Sequence, residues 1–147
     1  MNEAPKLKRA MPALRPVMIV DDNTDDAETF RAQLAAAGIA NPALLFQDYS
    51  ESVAALTLAA GDGPRSPSLP CALFVNLKMG CYGGFDLLGW ASEQDFLANV
   101  PRFILVPCLL PEDQALGIRF GAELVVKFPT NEQLAALLRP VLRERKS

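Results

Sequence analysis

A chain of 147 residues, half of them apolar, suits one compact domain with a full core and leaves little length for a second. Its 14 basic and 17 acidic residues give a net charge of -3, with none of the basic excess that a nucleic-acid partner requires. Three cysteines and no histidine exclude the common zinc spacings, and an odd cysteine count without a signal peptide implies a reducing, cytoplasmic setting.

Met1 to Arg15 carry Lys6, Lys8, Arg9 and Arg15 among alanines and prolines, and read as a tail ahead of a domain spanning 16–147. No apolar stretch there is long enough for a signal-peptide core, and no segment approaches a membrane span. From Pro16 the chain alternates strand and helix patterns. Val17 to Val20 is a short apolar run of the buried-strand kind. Asn23 followed by Thr24, Asp25 and Asp26 predicts a capped helix start with acids placed for the helix dipole. Phe30, Leu34 and Ala37 share one face of that helix, and Gly38 is its stop. Leu44 to Phe46 predicts a second strand and Ser50 to Ala60 an alanine-rich second helix. Gly61 to Pro70 is a proline- and glycine-rich loop. Cys71 to Val75 is a third strand leading to Asn76, and a glycine-rich loop then enters a helix over Phe85 to Ser92. Phe103 to Val106 and Leu124 to Val126 predict the last two strands, with a helix over Glu112 to Phe120 between them, ended by Gly121. Thr130 and Gln133 form a capping box for a final helix running to about Arg143.

Five βα units in a row predict an α/β, flavodoxin-like doubly wound parallel sheet of order 2-1-3-4-5, with its site at the carboxyl ends of the strands. Asp21, Asp22, Asn76 and Lys127 all fall at those ends. Taken singly, Asp21 and Asp22 are an ordinary solvated strand end. Lys127 suits a structural ion pair with either of them, and Asp25 and Asp26 suit helix-dipole partners better than ligands. Cys71 reads as a packed core thiol and Trp90 as core or a packed surface aromatic. Cys81 and Cys108 lie on loops bordering the strand ends, where a redox pair is conceivable though no spacing specifies it.

Taken together, these strand ends resemble the phosphoacceptor pocket of CheY-like response-regulator receiver domains. The resemblance covers the chain from Pro16 to the last helix. The opening Val20-Asp21-Asp22-Asn23-Thr24-Asp25-Asp26 is similar to small single-domain response regulators that partner phytochrome-type kinases. The loop after Asn76 matches the family's Asp-Leu-x-Met-Pro-x-x-x-Gly pattern at Leu77, Met79 and Gly84, with Gly80 in place of the proline and an expected gain in loop mobility. Lys127 matches the lysine that contacts the phosphoryl group, although Phe128 separates it from Pro129, which puts the peptide geometry there in question.

The resemblance implies that Asn76 occupies the place of the acceptor aspartate, and an amide is a poor nucleophile for acyl-phosphate formation. It assigns a cation to Asp21, Asp22, the Asn76 side chain and the Lys78 backbone carbonyl. With one ligand charge gone, only weak Mg2+ binding is expected, and none is required. Counting from Asn76 puts Val106 at the switch hydroxyl and Leu124 at the switch aromatic, so both are lost. The expected function is a pseudo-receiver in two-component phosphorelay signalling. It would act as a non-enzymatic interaction module for a sensor histidine kinase or another signalling protein, with a possible homodimer through the fourth helix, fifth strand and fifth helix. No nucleic acid and no membrane are expected as partners. The alternative is a metal-dependent phosphatase or a flavodoxin-like redox protein. No nucleophile stands at a strand end for the first, and the acidic loop after strand one would repel the phosphate of a flavin.

Overall fold

The computed structural model describes residues 14–61 and 63–146, with side chains as far as 141. The strands are β1 (Val17–Val20), β2 (Ala43–Phe46), β3 (Ala72–Asn76), β4 (Arg102–Val106) and β5 (Ala122–Val126). The helices are α1 (Thr24–Ala36), α2 (Tyr49–Ala60), α3 (Gly84–Ser92), α4 (Pro111–Phe120) and α5 (Asn131–Lys146). All four strand pairings are parallel, and the order is β2-β1-β3-β4-β5. The sequence-based expectation of fold and strand order is met.

The boundaries differ in instructive ways. β5 begins at Ala122, two residues before the apolar run, because Glu123 on this edge strand can pair through its backbone while its side chain stays in water. Asn76 is itself the last residue of β3, paired with Leu105. A short 3-10 turn over Asp95–Leu97 has no counterpart in the sequence reading. The final helix continues to Lys146 with Pro140 inside it. Of the expected tail, residues 1–13 lie outside the described part, while Arg15 is tied down by its carbonyl accepting Asn41 Nδ2 at 2.8 Å.

Because successive strand residues face opposite sides, each buried strand feeds two cores. Met18, Val20, Leu73, Val75, Ile104 and Val106 pack with Leu56 of α2 and Leu87 and Leu88 of α3. Val17, Ile19, Phe74, Phe103, Leu105 and Val125 pack with Phe30 and Leu34 of α1 and Leu134 and Leu138 of α5. The Phe74 ring stacks on Phe103 at a centroid distance of 4.7 Å and meets the tilted ring of Phe30 at 4.9 Å, tying α1 to the sheet centre. Cys71 is buried in this second core, as its place in an apolar strand predicts. α4 is held differently. It offers only Gly117 as a fully buried residue, and a Cβ there would meet Leu124 Cδ1 at 2.6 Å and the Ala122 carbonyl at 2.8 Å. The helix therefore rests its backbone directly on β5.

Candidate functional site

The two-residue period that divides the cores also decides which polar residues meet. Continuing β1 by one step beyond Val17 and Ile19 brings Asp21 to the α1–α5 side, and Asn76 follows Ala72 and Phe74 there. Lys127 follows Val125 to the same side. Lys127 Nζ donates to Asp21 Oδ2 at 2.8 Å, to Asp26 Oδ2 at 3.0 Å and to Asn76 Oδ1 at 3.0 Å. An ammonium has three N–H donors, so all of them are used. The second Asp21 oxygen accepts the Asn23 backbone N–H at 3.0 Å, and Asn23 caps α1 by accepting Asp26 N–H at 3.0 Å. Asn76 Nδ2 donates to the Lys78 carbonyl at 2.8 Å. That orientation of the amide follows from its partners, since an ammonium requires the oxygen and a carbonyl requires the NH2.

The Asp21 side chain is 1% exposed, so its charge is nearly desolvated and depends on this pairing. Burial alone would lower the pKa of Lys127, but hydrogen bonds to and charge from Asp21 and Asp26 outweigh it, and the net shift is upward from 10.5. The sequence favours Asp26 as a helix-dipole partner over a ligand. It serves the helix start and also binds Lys127. Its spacing to Phe30 and Gln33 puts it on the α1 face toward the β5–α5 connection, where Gln33 Nε2 reaches the Pro129 carbonyl at 3.0 Å.

Asp22 has the opposite parity and does not join the cluster. It is exposed, without a hydrogen bond to another described residue, and lines a groove with Asp48, Met79, Cys81 and the stacked pair Tyr49–Tyr82, whose rings are 4.7 Å apart. Of the expected pocket residues, Asp21, Asn76, Lys127 and the Lys78 carbonyl are joined by hydrogen bonds; Asp22 shares none of them. Cys81 and Cys108 are exposed free thiols.

As these residues are arranged, a divalent cation would have to compete with internal donors for three of its four assigned ligands. Asp21, Asn76 and Lys78 each present the assigned oxygen to an internal donor. Bonded to Asp21 Oδ2 at about 2.1 Å, a doubly charged ion would lie within about 5 Å of the ammonium. At an effective dielectric near 20, their mutual repulsion of about 7 kcal/mol would offset part of the ion's attraction to the Asp21 carboxylate. Among the described residues no group of three or more Asp, Glu or Cys side chains is placed to hold a metal ion.

Around the cluster, Asn76, Leu77, Lys78, Pro107, Lys127 and Phe128 line an open cavity of about 370 Å³. The Lys127–Phe128 peptide bond is cis, and the Phe128 ring centroid lies 5.4 Å from Nζ. Gly80 has φ of +60°, a conformation closed to the proline of the family pattern, so this loop turns where a proline could not. Val106 is fully buried and has no hydroxyl to offer; Leu124 is half-buried beneath α4 against Gly117. No helix among the described residues is long and apolar enough to cross a membrane.

No family model matches the chain, and no curated protein matches it. Solved structures do. The bacteriophytochrome response regulator AtBRR is 24% identical, with a TM-score of 0.73 over 88% of this chain and 94% of that one. The bacteriophytochrome response regulator RtBRR is 20% identical, with a TM-score of 0.72 over 87% and 78%. A CheY-like receiver domain protein from Methanospirillum hungatei is 17% identical, with a TM-score of 0.70 over 91% and 98%. With the 2-1-3-4-5 sheet and the strand-end cluster, this likeness settles the architecture: the chain has the fold of response-regulator receiver domains.

Proposed function

We propose that the protein is a receiver-type module of two-component signalling that works by binding a partner and not by accepting phosphate. The observation that carries this reading is the saturation of Lys127. All three of its donors are spent on Asp21, Asp26 and Asn76, so an incoming phosphoryl group would find no free ammonium hydrogen. The residue at the acceptor position is an amide, and Val106 and Leu124 lack the hydroxyl and the ring that would relay a change outward. A ligand shifts a two-state equilibrium only through contacts that differ between the states, and here those contacts are missing.

The partner in this reading is a sensor histidine kinase or another signalling protein, by analogy with the bacteriophytochrome response regulators. A second copy of the chain is the other candidate. The surface assigned to it is the α4–β5–α5 face, where Leu109, Leu124, Val126, Pro129 and Leu137 line a groove of about 420 Å³ beside the unpaired edge of β5. Catalysis has no part in the proposal, and a purified protein that is colourless and without phosphatase activity is expected.

The test is incubation with a small phosphodonor and magnesium, read by intact mass. No phosphoryl adduct should form on the wild type. Asn76→Asp should recover at most partial phosphorylation, without a phosphodonor-dependent change in partner affinity or self-association. A hydroxylamine-labile adduct on the wild type, or a large phosphodonor-dependent change in the variant, would overturn the reading.

A further inference from the structure

Of the four oxygen donors that a receiver pocket would turn toward a cation, those of Asp21, Asn76 and Lys78 are turned here toward two groups of the chain itself, while Asp22 is exposed. Lys127 Nζ gathers Asp21 Oδ2, Asp26 Oδ2 and Asn76 Oδ1 from three separate segments, the end of β1, the first turn of α1 and the end of β3. The remaining oxygen, the Lys78 carbonyl in the β3–α3 loop, is taken by Asn76 Nδ2. We propose that Lys127 and Asn76 together are a built-in substitute for the divalent ion, fixing the β3–α3 loop and making the pocket independent of cations.

The amide is the residue this arrangement needs. Its two ends have opposite demands, an oxygen that accepts and an NH2 that donates, and Lys127 and Lys78 answer one each. A carboxylate in the same place would set an oxygen against the Lys78 carbonyl at the 2.8 Å now spanned by a hydrogen bond. Two acceptors at that distance tolerate each other only with a proton or a cation between them. Amide and cation are therefore alternative solutions to one problem, and this chain has adopted the amide. The loop beyond is registered by Leu77 N–H on the Leu105 carbonyl at 3.1 Å and Gly84 N–H on the Leu77 carbonyl at 2.8 Å. The Asn76–Lys78 bond closes its first turn without any ligand. Asp22, the one acid of the expected set outside this network, is exposed and shares no hydrogen bond with it.

This deepens the reading of the same pocket, and its test is separable because no phosphodonor is involved. Thermal unfolding of the wild type should be the same in chelator and in millimolar magnesium at matched ionic strength. Asn76→Asp should unfold at lower temperature in chelator, by about 3 °C or more, and recover most of that loss with magnesium. Equal magnesium stabilisation of both proteins would overturn the proposal, as would a variant indifferent to magnesium. Should Asn76→Asp not fold, manganese-induced broadening of wild-type amide resonances decides it. Selective broadening centred on Asn76 and Lys78 at stoichiometric manganese would overturn the proposal; its absence there supports it.

Discussion

Asp21 and Asp22 are chain neighbours with the same chemistry, and they live in different electrostatic worlds. Asp21 is 2% exposed with both oxygens bonded, one to a cation; Asp22 points to water in a groove beside two stacked tyrosines. The pleat, not proximity in sequence, separates them. One residue continues β1 toward α1 and α5, and the next turns toward α2. A doubled acid at a strand end thus need not enter one hydrogen-bond network.

The comparison is broken most severely from the lysine side. Lys127→Met should leave Asp21 buried with an uncompensated charge, and a loss of about 3 kcal/mol is expected in denaturant unfolding. A loss below 1 kcal/mol would mean that the cluster does not hold Asp21 in solution. Asp21→Ala should cost less, about 2 kcal/mol, because Lys127 keeps Asp26 and Asn76 as acceptors. Asp22→Ala should stay within about 0.5 kcal/mol, as for surface changes away from such networks. Equal effects of the two alanines would erase the distinction drawn here.

Titration gives a finer version of the same contrast. The pKa of Lys127 is raised in the folded protein, so the folded state holds this proton more tightly than the unfolded chain. Its contribution to stability is fully present below the unfolded value of about 10.5 and is lost as pH rises through the higher folded value. The alkaline fall in stability should be steeper in the wild type than in Lys127→Met, measured by unfolding at a series of pH values. Parallel curves would remove Lys127 as the cause.

The architecture was legible because its signals are local and repeated. Short apolar strands, Gly121 after α4 and the Thr130–Gln133 box, whose two reciprocal bonds are 3.1 and 2.8 Å, each specify an element without reference to distant parts. Asp21, Asn76 and Lys127 were legible as strand ends that a parallel sheet brings to one edge. The partner roles were not. Placing Asp22 apart required knowing that the strand parity continues past Val20. Finding Asp26 required treating it as a side chain on the face of Phe30 and Gln33 and not only as a charge near a helix end. The bond from Asn76 to the Lys78 carbonyl depends on how the loop turns, which no spacing encodes.

The seating of α4 on Gly117 has a consequence for any attempt to rebuild a moving part here. Leu124 fills the space between β5 and the helix backbone so closely that even a methyl group on Gly117 would collide with it. A ring installed at 124 has no inward berth unless the helix lifts first. Engineering a responsive version would therefore have to begin by loosening the α4 seat, and only afterwards supply the ring and the hydroxyl at 106.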